Sequence, residues 1–183
     1  LNVRDLRHFL NTGGVVAYPT EAVFGLGCDP NNRKAVQRIL KIKGRPQHKG
    51  LILVADDFDR LKPFIAPLTS AQIQKMQQSW GNAQKPHTWI VPAAKHCPKW
   101  ITGQHRSIAI RVSSHPYTAK LCKNSNMALV STSANRSGHQ AAKTDKMCQQ
   151  LFGNQVRVLH GKTAGAKKPS TIQDLISGKV IRK

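Results

Sequence analysis

A single mixed α/β domain, spanning 1–183, is the fold class this sequence predicts, and three observations predict it. The length of 183 residues, with 39% hydrophobic side chains, is enough to bury one core without disulfides or metal. Short apolar runs of strand character alternate irregularly with segments of helical periodicity. The links between them are mostly of hairpin scale, with no internal repeat, low-complexity tract or interdomain linker.

The elements follow in order. Val3, Leu6, Phe9 and Leu10 share one helical face after Asn2 and predict a short opening helix. Residues 15–18 read as a buried strand ended by Pro19, and the stretch through Gly25 and Gly27 reads as a loop. A second helix is expected over 32–42, with Ala35, Val36, Ile39 and Leu40 on its apolar face and Pro46 closing it. Residues 51–54 form a strand, and 70–80 a helix with Ile73, Met76 and Trp80 at core spacing. Strands follow at 88–91 and 107–112, then a helix opened by Pro116 and running to about residue 124. Residues 128–131 are a strand, and Thr144 caps a helix that Gly153 stops. Residues 156–159, 171–172 and 180–182 complete the strand set.

The charge is lopsided: 29 Lys and Arg against 8 Asp and Glu, a formal net charge of +21. Glu21 is the only glutamate, and the 85 residues between Asp59 and Asp145 hold 12 cations and no carboxylate side chain. Paired-carboxylate chemistry and an all-oxygen Ca²⁺ cage are hard to build from such a chain. A polyanionic partner is favoured, whether nucleotide phosphates, RNA or both. Compositional drift, with 18 Lys against 11 Arg, is the competing explanation for the surface charge.

No apolar run approaches the ~18–20 residues a membrane span needs. The N-terminal LNVRDLRHFL is too short and too charged for a signal peptide. Cys28, Cys97, Cys122 and Cys148 are widely spaced without a CxxC, so a reduced, cytoplasmic protein is expected. The spacing of His87, His96, Cys97 and His105 matches no zinc pattern, and no metal site is expected.

Five segments carry chemistry. YPTEAVFGLGCDP (18–30) runs a buried strand into Thr20, Glu21 and two glycines, and strand ends are where α/β sheets place ligands. KIKGRPQHKG (41–50) offers Lys43, Arg45 and Lys49 as a phosphate clamp, although cations also suit a helix C-terminus. Neither GxxxxGK[ST] nor a usable GxGxxG is present, so any nucleotide is held by another architecture. In SIAIRVSSHP (107–116), Arg111 lies on the strand face opposite Ile108 and Ile110, facing solvent or a groove where it would hold a carboxylate. LVSTSANRSG (129–138) delivers Ser131, Thr132, Ser133 and Asn135 in a row, either a turn cluster or a binding rim. No GxSxG elbow surrounds these serines, which argues against a hydrolase. GKTAGAKKPSTI (161–172), ahead of a last strand carrying Arg182, suits an anion-facing loop or a solvated basic one.

In this order and spacing, YPTEAVFGLGC, the K-x-R-P of residues 43–46 followed by KGL, SIAIRVSSHP, STSAN, and KPST with a late Arg resemble the YrdC/TsaC family of threonylcarbamoyl-AMP synthases. The matches run from about residue 15 to residue 182. The resemblance implies a twisted mixed β-sheet with surrounding helices and a positively charged concave groove. It also implies a nucleotidyltransferase that makes threonylcarbamoyl-AMP and pyrophosphate from ATP, L-threonine and bicarbonate, for t6A modification of tRNA. Carried over residue by residue, Thr20, Arg111, Ser131 and Ser170 line the threonine site. Arg45, Lys49, Ser107, Ser133, Asn135 and Arg182 contact ATP. Lys43 sits between the groups and, with Arg45, is the expected catalytic pair. Mg²⁺ would be carried mainly by the ATP phosphates.

The implied partners are tRNA or another RNA and the transferase machinery that consumes the product. A non-catalytic RNA-binding or ribosome-assembly factor on the same fold is the alternative. Two departures from the family pattern stand out. Trp80 is followed by GNAQKPHT, which keeps only Pro86 and Thr88 of the usual Trp-Pro-Gly-Pro-x-Thr turn, so a longer or more mobile loop is expected. Glu-Thr after Pro-Thr is Glu21-Ala22 here, as in other short members. The second C-terminal domain of longer members is expected to be lacking.

Overall fold

The computed structural model describes residues 3–183, so Asn2, the expected start signal of the first helix, lies outside the described residues. Helix α1 (Val3–Asn11) buries Leu6 and Leu10, whereas Val3 is 44% exposed and leaves the apolar face it was expected to share. Strand β1 (Val16–Pro19) turns back into β2 (Phe24–Gly27), then α2 (Arg33–Lys43), β3 (Ile52–Ala55) and α3 (Ser70–Ser79). After these come β4 (His87–Pro92), a one-turn helix α4 (Lys99–Thr102), β5 (Ser107–Val112) and α5 (Pro116–Ser125). The chain closes with β6 (Leu129–Ser133), α6 (Asp145–Phe152), β7 (Arg157–Val158), β8 (Thr171–Asp174) and β9 (Val180–Arg182).

Local chemistry sets the helix ends. Asn32 caps α2 by accepting from the Ala35 amide, and Gly44 ends it in the left-handed region at φ 59°, two residues before Pro46. Thr69 and Gln72 form a reciprocal capping box on α3. Thr144 caps α6, and Gly153 stops it at φ 50°. Pro116 occupies the first turn of α5, where its missing N–H costs no helical bond.

The strands form one nine-stranded mixed sheet in the order β7-β1-β2-β6-β3-β5-β4-β8-β9. The pairs β1·β7, β3·β5 and β4·β8 are parallel and the rest antiparallel. Alternation gives the sheet two unlike faces. Ala17, Phe24, Leu26, Leu53, Ile108, Ile110 and Val130 point to one face. There they pack with Val36 and Ile39 of α2, Met76 of α3, Ile101 of α4 and Phe152 of α6. On the other face, Val16, Tyr18, Val54 and Leu129 meet Leu6 and Leu10 of α1 and Leu121 of α5. These two helices cover only one end of that face.

The largest correction is β2, whose four residues are all buried where a loop was expected. Glycines read as loop because they pack nothing themselves. Here the space belongs to Tyr18, paired directly across from Gly25. A Cβ on Gly27 would lie 2.8 Å from the Tyr18 ring and 2.7 Å from the Val130 carbonyl oxygen. Strand β6 runs two residues further than expected, so Ser131 and Ser133 are strand residues on one face. The 81–86 stretch is ordered by an Asx turn in which Asn82 Oδ1 accepts from the amides of Gln84 and Lys85.

Candidate active site

The uncovered end of the second face is a cavity of ≈ 490 Å³, within the roughly 300–1,000 Å³ usual for small-molecule sites. Register explains its floor. Ser131 of β6 pairs with Ile52 of β3, Ile52 with Ala109 of β5, and Ala109 with Ile90 of β4. Gly25 of β2 pairs with Ser133 on the other side of β6. The small residues Gly25, Ser131 and Ala109 thus share the cavity floor with the larger Ile52 and Ile90.

Ten of the eleven residues singled out from the sequence line this cavity: Thr20, Arg45, Lys49, Ser107, Arg111, Ser131, Ser133, Asn135, Ser170 and Arg182. Lys43 does not line it. The Lys43 side chain is 3% exposed and lies beneath the wall, its Nζ donating to the carbonyls of Ser133 and Asn135 and to Asn135 Oδ1. Burial, and secondly the neighbouring Arg45 charge, push its ammonium pKa down to about 8. Asn135 Oδ1 also accepts from Ser133 Oγ at 2.6 Å, and its amide donates to the His139 carbonyl at 2.7 Å. Lys43 thus ties together the rim that presents Ser133 and Asn135.

Arg45 donates through Nη2 to the Gly50 carbonyl at 2.9 Å, its Nε has no partner, and burial lowers its pKa. Lys49, at the end of a single 3₁₀ turn (Gln47–Lys49), is exposed at the mouth. Arg182 donates to the Ser170 carbonyl from Nη2 at 2.8 Å and Nε at 3.1 Å, and to Ser170 Oγ at 3.1 Å. Its pKa is lowered by burial first and by the charge of Arg111 second.

Arg111 faces the cavity rather than solvent, 8% exposed, with Nη2 3.3 Å from Glu21 Oε2. Burial would raise the Glu21 pKa, but Arg111 and the hydrogen bond from Ser113 outweigh it, holding the carboxyl below its ordinary value. Among the described residues, Glu21 is the only acidic residue lining the cavity, against Arg45, Lys49, Arg111 and Arg182.

The hydroxyls are polarised by their neighbours. Thr20 Oγ1 donates to the Val23 carbonyl at 2.7 Å, which leaves it lone pairs with which to accept from a ligand. Tyr18, wholly buried, hydrogen-bonds Ser131 Oγ at 2.8 Å. Thr88, also wholly buried, hydrogen-bonds Ser170 Oγ at 2.8 Å. Sequence reasoning assigned neither Tyr18 nor Thr88 a role. The signal for Tyr18 was its place opposite two glycines; Thr88 was marked only as a surviving turn residue.

Segment 161–170 crosses the rim as a strap. Ala164 N donates to the Thr20 carbonyl at 3.2 Å and Ala166 N to the Glu21 carbonyl at 2.9 Å. His115 Nδ1 accepts from Tyr117 N, so its Nε2 carries the hydrogen that reaches the Lys162 carbonyl at 3.0 Å. Gln84 from the 81–86 turn donates to the Ala164 carbonyl at 2.7 Å. All four cysteines are buried and free. Among the described residues, no group of three or more His, Cys, Asp or Glu is arranged to hold a metal ion, and no helix is long and apolar enough to cross a membrane.

The Sua5/YciO/YrdC family model, described as "Telomere recombination", matches residues 8–183. The chain belongs to this family. A threonylcarbamoyl-AMP synthase of Methylobacillus flagellatus is 54% identical over 182 residues, covering 100% of this chain and 99% of the relative. One from Thiobacillus denitrificans is 46% identical, covering 97% and 93%. Among solved structures, P. abyssi Sua5 complexed with L-threonine superposes with a TM-score of 0.84 at 28% identity, over 94% of this chain. This chain spans only 50% of that Sua5 chain. E. coli YciO shares the fold with a TM-score of 0.82 at 24% identity, covering 99% of this chain and 88% of its own. Sua5 and YciO therefore share the fold of this chain.

Proposed function

We propose that this chain is a threonylcarbamoyl-AMP synthase, a nucleotidyltransferase that joins L-threonine, bicarbonate and ATP and releases pyrophosphate. One observation carries the reading: four cations and a set of oriented hydroxyls converge on one cavity whose single carboxylate is already engaged. Such a site holds two anionic reactants together and stabilises a leaving group. It is poorly suited to carboxylate acid–base catalysis.

The amine of threonine and bicarbonate give N-carboxy-threonine with loss of water. Its new carboxylate attacks the α-phosphorus in line, and the bond to the β-phosphate oxygen breaks as pyrophosphate leaves. No protein nucleophile is required. Arg111, Thr20, Ser131 and Ser170 hold threonine: Arg111 takes the carboxylate, and Thr20 accepts from a donor. Arg45, Lys49, Ser107, Ser133, Asn135 and Arg182 address the nucleotide, with Arg45 and Lys49 offsetting phosphate charge. Lys43 acts from beneath, holding Ser133 and Asn135 in place and adding positive potential to the wall.

The cavity's donor set does not fit a protein-bound Mg²⁺, because Glu21 is committed to Ser113 and Arg111. Mg²⁺ would arrive on the ATP phosphates, and no step is derived through it. Only five of the 29 Lys and Arg have a task in this scheme. The others fit attraction of tRNA, whose t6A modification consumes the product through a separate transferase. A cytoplasmic setting supplies ATP and tRNA together.

The test is pyrophosphate release with all three substrates present and with each omitted in turn. Release that depends on both threonine and bicarbonate is expected. Release without either, or none at all alongside salt-sensitive RNA binding, would refute the synthase in favour of the RNA-binding alternative.

A further inference from the structure

Glu21 poses a physical question that the reaction scheme does not answer. It is the sole glutamate, 1% exposed, in a chain poor in carboxylates. A buried carboxylate is costly unless its partners compensate. The turn that carries it does not need that side chain. Thr20 N and Oγ1 both donate to the Val23 carbonyl, and the strap is tied to the main-chain carbonyls of Thr20 and Glu21. The carboxylate instead turns to β5 and the residue just past its end: Oε1 accepts from Ser113 Oγ at 2.6 Å, and Oε2 lies 3.3 Å from Arg111 Nη2.

Two features say what this arrangement is for. Arg111 Nε is buried with no partner, as is Glu21 Oε2 by hydrogen-bond geometry. The guanidinium is therefore restrained at one terminal nitrogen while donors remain for a forked contact with a carboxylate. Arg182 carries a like charge close enough for Arg111 to perturb it. An unrestrained arginine here would be repelled from the pose that faces the cavity floor. Ser113 lies two residues beyond Arg111 on the same extended segment and is itself pinned through its amide to the Ala55 carbonyl at 2.9 Å.

We infer that Glu21, steadied by Ser113, is the positioning residue for Arg111 and sets the affinity of the site for the carboxylate of its amino-acid substrate. This rests on the synthase reading above. Glu21 Oε2 has essentially no accessible surface, so the residue acts through Arg111 and not on the reacting atoms.

The test compares Glu21→Gln with wild type by calorimetric L-threonine binding and by pyrophosphate release as threonine and ATP are varied separately. The Kd and KM for threonine should rise ~10-fold or more, the loss of a charge-assisted contact, with the KM for ATP unchanged. Glu21→Asp, which keeps the charge, should recover part of the loss. A folded Glu21→Gln with wild-type threonine affinity, or with equal losses for threonine and ATP, overturns the inference. If Glu21→Gln does not fold, Ser113→Ala decides: a several-fold rise confined to threonine supports it, and no change overturns it. Wild-type protein that neither binds threonine nor releases pyrophosphate refutes the synthase reading itself, and this inference with it.

Discussion

The two faces of the sheet are made by the same strands yet solve opposite problems. On the closed face, Leu53, Ile108, Ile110 and Val130 meet four helices in a continuous apolar core. On the open face the intervening residues, Ala109, Arg111, Ser131 and Ser133, are small, charged or hydroxylated, and the floor they make is left uncovered. Each strand of β5 and β6 serves both tasks, because its side-chain period is two. The lesson is that the rigid face holds the reactive one: a misplaced apolar residue disturbs stability, and a misplaced polar one disturbs chemistry.

Lys43 tests that division most severely, because it bridges both. Lys43→Ala should lower pyrophosphate release by more than ~100-fold and also lower Tm, since it leaves three oxygens of the Ser133–Asn135 rim without their cation. Arg45→Ala should cost on the order of 100-fold in rate with Tm little changed, as the bond it gives up is to the nearby Gly50 carbonyl. Thermal melts run beside the rate assay separate the two. A fall in Tm as large for Arg45→Ala as for Lys43→Ala would erase the distinction.

The converse is Met76→Ala on the closed face, wholly buried against the core. It should cost about 3 kcal/mol of stability in denaturant titration while leaving the KM values unchanged. A shifted KM would show that the two faces are coupled.

A smaller and subtler effect is the pH response. Lys43 loses its proton as pH rises through about 8, so turnover should fall on that limb, and Lys43→Ala should lack it. Stability moves the other way. The unfolded chain keeps the proton to its ordinary value of 10.5, so it binds more protons than the folded one between about 8 and 10.5. The contribution of this group to stability therefore increases with pH over that window. Parallel pH profiles of rate and of unfolding free energy check the sign. The smallest expected change is Thr88→Val, which removes one bond to Ser170 and should raise the threonine KM a few-fold.

Much of this was readable beforehand where periodicity and spacing act locally. The alternation in Ser107–Val112 put Arg111 opposite the isoleucines, and Thr144 and Gly153 marked the two ends of α6 by their own chemistry. What stayed hidden depends on partners distant in sequence. Gly25 and Gly27 look like loop until Tyr18 occupies the space they leave. Lys43 at a helix C-terminus looks solvated, and only the carbonyls at 133 and 135 turn it inward. Glu21 was visible as an oddity of composition, but its partners Arg111 and Ser113 lie some ninety residues away.

The sheet order has a consequence for how copies of this protein behave toward one another. A sheet of nine strands offers two margins of unpaired main chain, and here they are β7, two residues long, and β9, three residues long. Long flat margins template strand addition between molecules, and short charged ones do not. On β9 the exposed Val180 and Ile181 lie between Lys179 and the pair Arg182 and Lys183. With a net charge of +21 on every copy, approach of two such margins is opposed before any hydrogen bond forms, so the wide sheet can remain soluble at concentration.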